Sequence, residues 1–190
     1  DNHWLPDLDD IKRKITSLSR AIVVIDPNNP TGAVYPEATR RALIAIAHSS
    51  GVPILADEVY GDLGFDGPSP LLGSLDPDAP ILSFSSLSKA YVAPGWRAGW
   101  LCVGRSERLN DVLAAIKKLA DGRLCSTGPM QYAITAALTG DRSHQQEFVR
   151  QLAMREGGGR PSSAMRPEIL TKSGDLLHPG VIVLIHKLEP

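Results

Sequence analysis

Three short, mostly apolar runs, the first of them largely β-branched, each end abruptly in a polar, turn-forming string. The runs are residues 21–25 (Ala-Ile-Val-Val-Ile), 52–56 (Val-Pro-Ile-Leu-Ala) and 81–84 (Ile-Leu-Ser-Phe). A continuous apolar run of this length suits a strand buried on both faces, as in parallel sheets, and parallel neighbours need a crossover of a dozen or more residues. The first crossover is legible. Residues 36–50 read as a helix, with Pro36 in the first turn, Ala38, Ala42, Ala45 and Ile46 on one face, and Gly51 at the stop. A fourth strand is expected at 99–103. Ser106 then caps a helix whose stripe is Leu109, Val112, Leu113, Ile116 and Leu119. Further helices are expected over 130–138 and 144–154, and Asp7 to Asp10 ahead of Ile11 mark a helix start. Residues 61–80, rich in Gly and Pro, read as a loop. Strands alternating with helices predict a layered α/β domain.

The end of the chain changes character. Gly157-Gly158-Gly159-Arg160-Pro161-Ser162-Ser163 reads as a linker, and residues 181–185 as one isolated strand. The expected division is therefore a large domain over 1–156, and a linker with the remnant of a second, small domain over 157–190.

Composition narrows the function. Of 190 residues, 43% are apolar and 22% charged, which is the balance of a globular chain. With 20 basic and 21 acidic residues the formal net charge is −1, which weighs against nucleic-acid binding by broad phosphate neutralisation. Two cysteines, Cys102 and Cys125, make neither a disulfide framework nor a four-ligand metal site, and no metal is expected. No apolar run is long enough for a bilayer, so no membrane partner is expected. The acidic, polar start, Asp1-Asn2-His3-Trp4, is not expected to be a signal peptide. A reduced, cytoplasmic domain is the expectation.

The chemistry-bearing residues cluster where strands end, which is where α/β domains build their sites. They are Asn29-Pro30-Thr31-Gly32, then Asp57-Glu58-Val59-Tyr60, then Ser86-Leu87-Ser88-Lys89 followed by Pro94-Gly95-Trp96-Arg97. Each alone has an ordinary reading: a turn, a helix-capping Asp, a solvated loop lysine. Together, in this order and spacing, they resemble the class I and II aminotransferases, pyridoxal-phosphate enzymes of fold type I. The wording of residues 22–35, with Arg123-Leu124-Cys125, looks most like the alanine aminotransferase branch.

That resemblance implies a three-layer α/β/α large domain with a mostly parallel sheet and an incomplete small domain. It implies pyridoxal 5'-phosphate as cofactor and Lys89 as the catalytic Schiff-base lysine, which also moves the substrate's α-proton. Asp57 faces the pyridine nitrogen and keeps it protonated. Tyr60 and Asn29 donate to the ring's phenolate oxygen, Asn29 also touching substrate. Ser86, Ser88 and Arg97 bind the phosphate, the arginine as a bidentate fork. The implied partners are an amino acid and a 2-oxo acid, with alanine and glutamate favoured, and a second copy in a homodimer. Arg123 stands where the family approaches the neighbouring subunit, and a charge at a helix C-terminus explains it equally well. Tyr91 has no assigned role. His48, His144, His178 and His186 read as structural or solvated.

Family members are roughly twice as long. Measured against them, the sequence lacks the N-terminal glycine turn and stacking aromatic ring, and the C-terminal arginine for the substrate carboxylate. The expectation is little or no transamination by these residues alone. Two other readings stay open: a non-catalytic remnant or regulatory module, and a lyase using the same lysine and electron sink. Asp26 stands where the alanine branch usually has Asn.

Overall fold

The computed structural model describes residues 3–122, 128–155 and 182–187, the last as strand backbone. Five strands form one sheet in the order β1-β2-β3-β4-β5. They are β1 (Ile22–Ile25), β2 (Ile54–Asp57), β3 (Ile81–Ser86), β4 (Ala98–Val103) and β5 (Ile182–Lys187). The first three run parallel, β4 is antiparallel to β3, and β5 is parallel to β4. The residues at 182–187 thus extend the sheet beside β4, where an isolated strand was expected. The linker expected at 157–163, with Arg123, Cys125 and His178, lies outside the described residues.

Six helices accompany the sheet among the described residues: α1 (Leu8–Lys14), α2 (Glu37–Ser50), α3 (Leu72–Leu75), α4 (Asn110–Asp121), α5 (Gly128–Thr139) and α6 (Ser143–Arg155). Strand alternation sends neighbouring side chains to opposite faces. Val24, Ile54, Ala56 and Ile81 pack against Leu43, Ile44 and Ala47 of α2 and Leu72 of α3. On the other face, Leu82, Leu101 and Val103 pack against Leu109 and against Leu113 and Ile116 of α4. Farther along, Leu87, Ala98 and Trp100 meet Met130, Ala133 and Ile134 of α5. Helices therefore cover both faces, giving three layers. Among the described residues no helix is long and apolar enough to cross a membrane.

Several local expectations change. Asp7 does cap α1, accepting from the N–H groups of Asp9 and Asp10 at 3.0 and 2.9 Å, and Gly51 ends α2 at φ 74°. The buried face of α2, however, is Arg40, Leu43, Ile44, Ile46 and Ala47, while Ala38 and Ala45 face outward. Alanine fits either face, so it marks neither. Ser106 makes no side-chain cap, and a 3₁₀ turn, Glu107–Leu109, leads into α4 instead. Leu119 is 77% exposed. The segment read as a loop at 61–80 holds a 3₁₀ turn, Gly61–Leu63, and the short helix α3. Strand β1 is not buried on both faces: Val23 is 67% exposed, and the cluster around α4 extends as far as Leu55 of β2 without including Val23.

Candidate cofactor and active site

The register of the sheet puts the motif residues side by side. Ile25 pairs with Asp57, and Asp57 with Phe84, so β1, β2 and the middle of β3 meet in one row. Two bonds continue the ladder past that row. The Asp26 N–H donates to the Asp57 carbonyl at 3.1 Å, and the Glu58 N–H to the Phe84 carbonyl at 2.9 Å. Residues just beyond these positions share one rim of the sheet.

The loop after β1 is closed by its own polar groups. The Asn28 and Gly32 backbones bond to Ala33 and Asn28 at 2.8 Å, and the Thr31 hydroxyl donates to Asn28 Oδ1 at 2.8 Å. Asp26 anchors the loop from below. Its carboxylate accepts from Arg40 Nε of α2 at 2.6 Å and from the Tyr35 N–H at 3.0 Å, with both charged side chains buried. This fixes Asn29, whose Nδ2 donates to the Tyr60 hydroxyl oxygen at 3.4 Å. Tyr60, 5% exposed, is held among Leu63 and Ala90.

Lys89 completes the group. Its Nζ lies 5.8 Å from the centre of the Tyr60 ring, a cation–π distance. Asp57 is half-buried at the end of β2. Burial pushes its carboxyl up from the usual carboxylate range, against the opposing pull of the Val59 N–H, 3.3 Å from Oδ1, and of the Lys89 charge. The bond to Val59 is the local one an Asp makes after a strand, and it leaves Oδ2 for another donor.

The serines and Arg97 sit at the end of β3 and the start of β4. The Ser88 N–H donates to Ser86 Oγ at 3.2 Å. Ser86 pairs with Gly99 of β4, and the Leu87 N–H bonds the Ala98 carbonyl at 3.0 Å. The approach at Gly99 is close: a Cβ there would stand 2.7 Å from the Ser85 carbonyl oxygen, so glycine fits for a steric reason. Gly95, by contrast, has nothing near its missing Cβ. Arg97 adopts a left-handed backbone, φ 51° and ψ 41°, and its Nη1 donates to the Pro94 carbonyl at 2.8 Å. A guanidinium carries five N–H donors, so this bond leaves most of the fork for an anion.

The structure therefore brings Asn29, Asp57, Tyr60 and Lys89 together and joins Ser86 to Ser88. Arg97 is recorded bonding its own loop, not the serines. Glu58 went unassigned in the sequence. It is 7% exposed and lies on the far side of the sheet from Asp57, accepting the Leu72 N–H on Oε1 while Oε2 has no bonded partner among the described residues. Burial pushes its carboxyl up, opposed by the Leu72 N–H and by the Ser83 hydroxyl. Strand alternation, Ala56-Asp57-Glu58, was the available signal. His48 pairs with Asp76 at 2.9 Å. Among the described residues no cluster of His, Cys, Asp or Glu could hold a metal ion.

This donor set suits an aldehyde-bearing, phosphorylated heteroaromatic ring. It offers one amine, one carboxylate with an open oxygen, a phenol and amide in contact, and two hydroxyls with an arginine fork.

The family model for aminotransferase class I and II matches residues 1–157. The alanine aminotransferase of Mycobacterium tuberculosis is 42% identical over 142 residues, covering 74% of this chain and 33% of that protein. The glutamate-pyruvate aminotransferase AlaA of Escherichia coli is 40% identical over 142 residues, 74% of this chain and 35% of its own. Among solved structures, an alanine aminotransferase from Pyrococcus furiosus superposes with a TM-score of 0.75 at 40% identity, covering 81% of this chain and 39% of that one. The chain thus spans about a third of the length of these curated relatives. The matched residues carry the whole β1–β4 sheet and every motif at its rim, and the chain belongs to the class I and II aminotransferases.

Proposed function

We propose that these residues form the pyridoxal-phosphate-holding part of an aminotransferase that moves an amino group between an amino acid and a 2-oxo acid. Alanine and glutamate are the favoured pair, on the strength of the relatives' names. The observation that carries the reading is the convergence of Asn29, Tyr60, Asp57 and Lys89 at aligned strand ends.

When bound, the cofactor supplies an aldehyde and an electron-accepting ring. Lys89 contributes the amine that holds it covalently, and later carries the substrate's α-proton on Nζ. Asp57 holds a proton on the ring nitrogen through its free oxygen, and burial strengthens that charge pairing. Tyr60 and Asn29 donate to the ring oxygen, an anion best served by two donors. Ser86, Ser88 and the remaining donors of Arg97 bind the phosphate. Asn29 would also touch the substrate. The homodimer and a part for Arg123 at the subunit interface are carried by the family resemblance, the cytoplasmic location by the composition, and the division at residue 156 by the Gly-rich string at 157–163.

The test is covalent capture. The chain is incubated with pyridoxal phosphate, fixed with borohydride and mapped by peptide mass spectrometry. The label is expected on the peptide holding Lys89 and is lost in Lys89→Ala. A label spread over Lys12, Lys14, Lys117 and Lys118, unchanged in that variant, would refute the reading.

A further inference from the structure

Tyr91 follows Lys89 by two residues and has no part in the roles above. It is shared between two separate apolar clusters. One holds Tyr60, Leu63 and Ala90 with Phe148 and Val149 of α6. The other holds Leu87, Ala98 and Ile134 with Trp100 of β4. The Tyr91 ring meets Trp100 edge-on, with centroids 6.5 Å apart, and stands 6.3 Å from the His144 ring of α6.

The backbone around it is pinned and strained. The Val92 N–H bonds back to the Lys89 carbonyl and the Ala93 N–H to the Leu87 carbonyl, both at 3.0 Å. These bonds close the lysine turn onto itself. Val92 sits at φ 52°, a region that a β-branched residue rarely enters. Such strain persists only where the surroundings over-determine the conformation. Tyr91, wedged between β4 and α6, is the neighbouring side chain able to impose it.

The wedge also carries buried polar atoms. The Tyr91 hydroxyl and Gln145 Nε2 of α6 are both buried and have no bonded partner among the described residues. Gln145 is 5% exposed. Burial pushes the phenol up, opposed by the charge of Arg142 and by the nearby polar side chain of Gln145. Tyr91 thus meets α6 through a polar neighbour, Gln145, as well as through the apolar contacts of Phe148 and Val149.

We propose that Tyr91 is a positioning residue for Lys89: its ring, wedged between Trp100 and α6, sets where the lysine turn presents its amine. This rests on Lys89 being the residue that captures the cofactor. It extends that reading by assigning the placement of the amine to a contact with α6, distant in sequence.

The experiment reads selectivity as well as amount. The full chain is treated with pyridoxal phosphate and borohydride, and the share of label on Lys89 is compared with that on Lys12, Lys14, Lys117 and Lys118. In Tyr91→Ala the Lys89 share is expected to fall roughly tenfold or more, the scale on which a small misplacement of a reacting group acts, with far-ultraviolet circular dichroism unchanged. Tyr91→Phe keeps the ring and is expected to retain most of the share. Phe148→Ala, which thins the α6 side of the same cluster away from the lysine, should shift the label in the direction of Tyr91→Ala. It also decides the matter if Tyr91→Ala fails to fold. Parent-like selectivity in Tyr91→Ala, or in Phe148→Ala if the former does not fold, overturns the proposal. So does an equal loss in Tyr91→Phe and Tyr91→Ala. Absence of Lys89 labelling in the unsubstituted chain would instead count against the cofactor reading itself.

Discussion

Asn29 Nδ2 donates to the Tyr60 hydroxyl across 3.4 Å and so ties the loop after β1 to the turn after β2. The two residues are far apart in sequence, and the contact exists because Ile25 and Asp57 are register partners in a parallel pair. The sheet register thus decides which side chains meet at the rim.

Tyr60→Phe is expected to cost about 1 kcal/mol, the usual net worth of a hydrogen bond whose partner can still reach water. Asn29 is only half-buried, so its amide can rehydrate. Urea unfolding of parent and variant measures this. The same variant should capture pyridoxal phosphate more weakly, because one of the two donors to the ring oxygen is gone. A capture constant equal to that of the parent would remove Tyr60 from the site.

The buried pair of Asp26 and Arg40 is expected to behave asymmetrically. Asp26→Ala leaves a guanidinium buried without its partner and should cost about 3–5 kcal/mol. Replacing both, Asp26→Leu with Arg40→Met, should recover most of that loss, because two desolvated charges disappear together. The recovery should fall short by about 1 kcal/mol, since the Tyr35 N–H also loses its acceptor. A double variant no more stable than Asp26→Ala would show that the pair contributes more than mutual compensation.

Much of the fold was legible because the strands announce themselves. Aliphatic runs breaking into Asn-Pro, Asp-Glu or Ser-Ser place β1, β2 and β3 within a few residues of their observed ends. What misled was polarity read residue by residue. Arg40 lies on the buried face of α2 because Asp26 neutralises it, and a helix stripe drawn on alanines missed that face. Glu58 lies within a motif yet is buried on the opposite side of the sheet from Asp57, where its polarity gives no sign of burial. The grouping at the rim was legible as a set, in that Asn29, Asp57, Tyr60 and Lys89 lie near one another. The link between Tyr91 and α6 was not, because Gln145 on a polar helix gives no local sign of burial and α6 is distant from Tyr91 in sequence.

Glu58→Gln is expected to change the dependence of stability on pH. Burial raises the Glu58 carboxyl above its unfolded value, so between those two values the folded chain holds more protons than the unfolded one. Stability then falls as pH rises through that window, and the deficit persists above it. Glutamine keeps an oxygen for the Leu72 N–H and carries no charge to bury. Stability of the variant minus that of the parent should therefore grow from acid toward neutral pH and then level. A difference that is flat with pH would mean the carboxyl is as well solvated folded as unfolded.

Asp57 gives a second pH signature, this time in cofactor capture. Burial raises its carboxyl, while the Val59 N–H and the Lys89 charge only partly offset the effect. A protonated ring nitrogen placed against Asp57 favours the ionised carboxylate, so binding draws the carboxyl back down. By linkage, affinity for pyridoxal phosphate should rise as pH climbs from the ordinary Asp value of 3.8 through the raised value in the free chain. The variant should therefore lack the acid-side rise and keep the rest of the profile. Its capture at neutral pH should be weakened, not abolished, because the amine, the Tyr60 and Asn29 donors, the serines and Arg97 all remain. Binding curves for parent and Asp57→Asn across the acid range, fixed with borohydride and quantified on the Lys89 peptide, measure the difference. Superimposable profiles would show that Asp57 does not face the ring nitrogen, and would leave its bond to Val59 as its whole role.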